Sequence, residues 1–218
     1  MNIPVKEKAD FGLIETLLWE KGEYFLLDLH MERLLASAKH FSRTADKRKI
    51  LSELHHLSHK LNPSANSKVR LVLDGQGHTE ITHSPVEDPG PGPVKVAFSD
   101  KKTDPADIFL YHKTTNRTLY DAEAAEARSK GLFDVIFTNL EGEVTEGAIT
   151  NLMIKSGGDY FTPPLFCGLL PGVYRTFLLE DERVAVKEKV LFKEDLLKAD
   201  GMFVMNSVRK LLPAVLIG

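Results

Sequence analysis

Apolar and polar residues along this chain fall into helical and strand rhythms, and each predicts an element. Residues 11–18 and 23–27 are apolar-rich runs on either side of Glu20-Lys21-Gly22, which predicts two strands and a turn. Met31, Leu34, Leu35, Ala38 and Phe41 then recur at helical spacing, with Asp28 as the expected cap. Ile50, Leu51, Leu54, Leu57 and Leu61 repeat that spacing after Thr44, a second expected cap, and Asn62-Pro63 should end the helix. Val69, Leu71 and Leu73 alternate with polar neighbours, so 68–74 predicts a half-buried strand. Gly75-Gln76-Gly77 should turn it into a partner at 78–83.

Residues 85–93 carry four prolines and two glycines, a composition that suits a linker and neither a helix nor a central strand. The domain boundary is expected there, giving an N-terminal unit of 1–88 and a C-terminal unit of 89–218. Beyond it, strands are expected at 94–98, 133–138, 144–146, 151–155, 184–190 and 202–205. The 133–138 run is predominantly apolar, as in a strand buried on both faces. Helices are expected from Asp121 to Gly131, from Pro171-Gly172 onward, and over 193–199. The order implies an α+β protein of two lobes. The first is an α/β sandwich and the second is mixed and strand-rich with peripheral helices.

Composition narrows the partners. A net charge of −3, with lysines and arginines scattered, gives no footprint for nucleic acid. A single cysteine, Cys167, excludes an internal disulfide and fits a reducing compartment. No apolar run nears the roughly 20 residues that span a bilayer. Met1 to Lys6 show no signal-peptide core, so a soluble cytoplasmic protein is expected. His55 and His59 have a metal-compatible spacing, but no carboxylate or cysteine ligand lies near them in sequence. They are read as a polar helix face, and no metal is expected.

Two polar segments hold the candidate chemistry: Tyr111-His112-Lys113-Thr114-Thr115-Asn116-Arg117 and Glu143-Val144-Thr145-Glu146-Gly147-Ala148-Ile149-Thr150-Asn151. A lysine can form an imine with a cofactor carbonyl if its site lowers its charge. A carboxylate can hold a pyridinium nitrogen protonated. Lys113 and Glu146 suit these roles.

These segments, with Phe11-Gly12-Leu13-Ile14-Glu15-Thr16, His30-Met31-Glu32-Arg33-Leu34, Phe161 to Pro164, Cys167 to Arg175, and Asn206-Ser207-Val208-Arg209, resemble the class IV aminotransferases. These are the fold type IV enzymes of pyridoxal 5'-phosphate (PLP), D-amino acid aminotransferase-like in fold. Within them the motifs are most like the 4-amino-4-deoxychorismate lyase branch, in particular the form fused behind a para-aminobenzoate synthase subunit.

The resemblance implies PLP as cofactor and Lys113 as the imine-forming, catalytic lysine. It implies Glu146 at the pyridine nitrogen and Asn151 beside it. It makes Arg33, Gly172, Val173, Tyr174 and Ser207 phosphate ligands. Relatives often have threonine at the Tyr174 position, which leaves its backbone N–H as the expected contact there. Arg117 and Arg209 are implied for the carboxylates of a dicarboxylate substrate and Asn116 for orienting the substrate or the cofactor hydroxyl, with Thr16 and Glu15 lining the substrate side. The implied reaction converts 4-amino-4-deoxychorismate to para-aminobenzoate and pyruvate, in folate biosynthesis. A homodimer is implied, with a para-aminobenzoate synthase subunit as a further partner. The chain begins about ten residues before Phe11, short of the N-terminal strand of free-standing relatives, as a detached fusion domain would. The competing readings are an aminotransferase of D-amino or branched-chain amino acids and a non-catalytic PLP-fold module. The Arg-x-His pair typical of D-amino acid enzymes is missing from Arg70 to Gly75, which favours the lyase.

Overall fold

The computed structural model describes residues 11–217, and the reading of Met1 to Lys6 lies outside them. In the first lobe, β1 (Leu13–Glu20), β2 (Glu23–Tyr24), β3 (Ser67–Leu73) and β4 (Thr79–Pro85) form an antiparallel sheet in the order β2-β1-β3-β4. Helices α1 (Leu27–His40) and α2 (Lys47–Ser58) cover one face. Met31, Leu34, Ala38, Ile50 and Leu54 pack there against Leu13, Leu17, Val69, Leu71 and Leu73. Each such Leu, Ile, Val or Met side chain, fully buried, contributes about 1.5–3 kcal/mol.

Local chemistry moved several boundaries. The strand expected over 23–27 shrinks to two residues, because Leu26 turns left-handed (φ 54°) and α1 starts at once. Asp28 therefore lies inside the first turn rather than at the cap, where it still complements the helix dipole. Asp46, not Thr44, caps α2 by accepting the Lys49 N–H at 3.1 Å.

In the second lobe β5 (Val94–Thr103), β6 (Asp134–Asn139), β7 (Val144–Gly147), β8 (Asn151–Ser156), β9 (Asp159–Thr162), β10 (Val186–Glu188), β11 (Gly201–Asn206) and β12 (Lys210–Leu216) form one mixed sheet. Its order is β10-β9-β8-β11-β12-β5-β6-β7, with β5 parallel to both β12 and β6. Val96, Ile136, Val144, Leu152, Ile154 and Val204 form its core. Helices α3 (Thr118–Ser129), α4 (Val173–Glu180) and α5 (Lys193–Lys198) lie around it. Helix α3 begins three residues before Asp121, and the strand expected over 184–190 keeps only its centre. Strands β9 and β12 were not anticipated.

A seam joins the lobes. The Ile14 N–H donates to the Lys113 carbonyl at 2.7 Å, and the Thr115 N–H to the Gly12 carbonyl at 2.9 Å. The Gly12 N–H donates to Thr115 Oγ1 at 2.9 Å. Residues 113–115 therefore extend the small sheet along β1, although they belong in sequence to the second lobe.

Candidate active site

The seam sets Lys113 on the wall of a cavity of about 870 Å³ between the two sheets. Strand alternation on β1 turns Ile14 and Thr16 toward the cavity and Leu13 and Leu17 into the first core. The Lys113 amine lies deep. Burial, reinforced by the Arg117 and Arg33 charges, lowers its pKa from 10.5 to about 7, with Glu15 and Glu146 pulling the other way. About half of such amines are uncharged at neutral pH, which a nucleophile or base requires.

Glu146, in β7, shares that cavity and is 5% exposed. Burial raises its pKa to about 8 against hydrogen bonds from the Leu170 backbone and Tyr120. The Tyr120 hydroxyl, on α3, donates to Glu146 Oε1 at 3.0 Å. Asn151 Nδ2 donates to Glu146 Oε2 at 3.1 Å and to the Leu170 carbonyl at 3.0 Å. The carboxyl group is thus fixed in orientation, and a cationic N–H facing it would favour its ionised form.

Arg33 reaches the cavity from α1. Its Nε and Nη2 donate to the two oxygens of Glu15 at 2.9 and 2.6 Å, and Nη1 donates to the Pro171 carbonyl at 3.1 Å. Pro171 precedes Gly172, the N-cap of α4. A side chain at 172 would run into Asn151 Oδ1, so only glycine fits. The first-turn N–H groups of a helix lack intrahelical partners, and with Arg33 they form a cradle for an anion.

Of the residues expected in the site, Lys113, Glu146, Arg33, Asn151, Gly172, Val173, Ser207, Thr16, Asn116, Arg117 and Arg209 all line this one cavity. Tyr174 is the exception. Its ring packs against Phe25 and Phe177, away from the cavity, so its side chain is withdrawn as a ligand and only its backbone N–H is available. Glu15 also departs from expectation, since it sits on the core side of β1 beneath Arg33. Arg117 is partly committed, with Nε donating to Asp121 at 2.7 Å and Nη2 to the Ala148 carbonyl at 2.8 Å. Arg209 lies over the Phe133 ring, and its buried Nε has no hydrogen-bond partner among the described residues.

Sequence reasoning missed Tyr120 and Asp134. Asp134, 1% exposed, accepts from the N–H groups of Val135, Ala148 and Ile149 and from Thr150 Oγ1, at 2.7–3.1 Å. It pins the turn between Glu146 and Asn151, and Gly147 is needed because a Cβ there would strike its carboxylate. An isolated acidic residue opening an apolar strand was the only available signal for it. Tyr120 gave none.

The family model described as amino-transferase class IV matches residues 12–217. The chain belongs to the class IV aminotransferase family. Among curated members, it is 30% identical to the "Putative aminodeoxychorismate lyase" of Schizosaccharomyces pombe, over 94% of this chain and 90% of that one. It is also 30% identical to the aminodeoxychorismate lyase of Bacillus subtilis, over 93% of this chain and 76% of that one. Among solved structures of class IV fold, a "Putative amino-acid aminotransferase" from Mesorhizobium loti matches with a TM-score of 0.88 and 32% identity. That match covers 95% of this chain and all of the other.

Proposed function

We propose that this class IV aminotransferase homologue binds PLP and converts 4-amino-4-deoxychorismate to para-aminobenzoate and pyruvate. The observation that carries the lyase reading is the near-full-length likeness to two relatives named as lyases. The cavity fits PLP on its own chemistry. It holds a lysine amine lowered to about pKa 7, a buried carboxylate, and an anion cradle that admits only glycine at 172.

Arg33, Ser207 and the N–H groups of Val173 and Tyr174 would hold the phosphate, Glu146 with Asn151 the ring nitrogen, and Lys113 the carbonyl carbon. PLP, when bound, supplies an electron sink for a carbanion beside the substrate amine. Lys113, once its nitrogen is free, takes the proton from substrate C4, and its low basicity lets it release that proton again. Glu146 keeps the ring nitrogen protonated, while Tyr120 and Asn151 hold the carboxylate in place. Arg209, with Arg117 and Asn116, receives the substrate carboxylates. Its unpartnered Nε gains most from such a partner, since a guanidinium pairs with carboxylate in a two-pronged way. Thr16 lines the substrate side.

We assign the two lobes to residues 1–88 and 89–218. We further infer a cytoplasmic homodimer in folate biosynthesis, supplied by a para-aminobenzoate synthase subunit. The likeness to the Mesorhizobium loti protein favours a second reading, amino-acid transamination. Para-aminobenzoate fluorescence decides between them. Protein with PLP and enzymatically generated aminodeoxychorismate should release para-aminobenzoate, and Lys113→Ala should release none. Keto-acid formation from D- or L-amino acids without para-aminobenzoate would replace the lyase with the transaminase.

A further inference from the structure

Glu15 is a buried carboxylate bound to Arg33 that the proposed chemistry leaves unused. It is 1% exposed, on the core face of β1, amid Leu13 and Leu17. Burying a carboxylate there is costly unless it is fully paired. It is paired on every side. Oε1 accepts Arg33 Nε at 2.9 Å, and Oε2 accepts Arg33 Nη2 and His30 Nδ1, each at 2.6 Å. Burial would raise its pKa, but the Arg33 and His30 charges and hydrogen bonds hold it down at about 2. It is therefore ionised throughout the working range of pH.

This pairing fixes one edge of the Arg33 guanidinium. The Pro171 carbonyl takes an Nη1 hydrogen at 3.1 Å and ties the group to the residue before the α4 N-cap. A guanidinium has five N–H groups. Three are used here, which leaves one on Nη1 and one on Nη2, on a side chain that lines the cavity together with Gly172 and Val173. His30 secures the arrangement from behind. It is wholly buried three residues earlier on α1, and its pKa is lowered by burial despite Glu15.

We infer that Glu15, braced by His30, is a positioning residue that aims the two uncommitted N–H groups of Arg33 at the cofactor phosphate. This rests on the PLP reading above. Glu15 touches neither cofactor nor substrate; apart from its charge on Lys113, which acts on PLP and pyridoxal alike, its effect should appear only where the ligand carries a phosphate.

The test compares PLP with pyridoxal, which lacks the phosphate, by fluorescence titration of the apoprotein. Glu15→Gln keeps the shape but replaces one acceptor with an N–H₂ group facing the guanidinium. Glu15→Asp keeps the charge and withdraws it by one methylene. A lost charge-assisted hydrogen bond should weaken PLP binding by about tenfold in each variant. Pyridoxal affinity should stay within about twofold, because it makes no phosphate contact. Equal weakening for both ligands, or unchanged PLP affinity in either variant, would overturn the inference. Failure of both variants to fold, judged by circular dichroism, would also overturn it and make Glu15 a structural member of the lobe. Wild-type protein that binds PLP no better than pyridoxal would instead remove the PLP reading itself.

Discussion

Asp134 makes a quantitative demand on the stability of this enzyme. Its carboxylate is buried, and despite four donors the cost of desolvation raises its pKa from 3.8 to about 6. At about 1.36 kcal/mol per pH unit, that rise is worth about 3 kcal/mol. The carboxyl binds a proton more tightly in the folded chain than in the unfolded one. The associated stabilisation is therefore complete below about pH 3.8 and lost as pH rises through about 6. Asp134→Asn removes this titration and little else in volume. Urea unfolding of both proteins, followed by circular dichroism between about pH 7.5 and 4.5, reads it out. Wild type should gain about 2 kcal/mol on the variant across that range, the part of the full linkage falling within it. Subtracting the variant cancels every other titrating group, including Glu15. A difference that stays flat with pH would refute the claim that burial outweighs the four donors. A difference of opposite sign would mean that the donors win.

Three further outcomes follow from the site. An amine-directed label should modify Lys113 with a midpoint near pH 7, from uncharged above to charged below. Lys130, raised by its pairing with Glu126, should need far higher pH, and peptide mapping by mass spectrometry distinguishes the two. Tyr120→Phe removes the donor to Glu146 Oε1. It should lower the turnover number for para-aminobenzoate about tenfold with PLP affinity little changed, since the lost bond is to a charged group. Gly172→Ala should abolish PLP binding measured by fluorescence while the apoprotein still unfolds cooperatively, because the added methyl group collides with Asn151 Oδ1.

The parts of the structure that could be read in advance are those written in local pattern. The β3–β4 hairpin follows from alternation around a glycine turn, and β6 from the apolar run Val135-Ile136-Phe137. Lys113 stood out in a dense polar cluster with no packing role, and Glu146 through the family resemblance of the Gly-Ala-Ile-Thr-Asn that follows it. Strand β12 escaped because Pro213 lies within it, and proline argues against a strand with neighbours on both sides. Asp134 escaped because three of its four partners are main-chain N–H groups, two of them 14 and 15 residues away, which no residue type advertises. Glu15 was placed on the substrate side, yet strand alternation puts it on the opposite face from Thr16. The parity of Leu13, Glu15 and Leu17 was legible. What it could not supply was His30 and Arg33 waiting on α1 to neutralise the charge.

The seam along β1 also bears on how the chain can be divided. The N–H and carbonyl groups at residues 12–14 find their partners at 113–115, beyond the proline-rich connection. A fragment ending at that connection would keep its four strands and two helices but present an unpaired strand edge to solvent. Open edges of this kind recruit other chains. Expressed alone, the first lobe should self-associate, and a peptide spanning residues 111–117 should suppress that by occupying the edge.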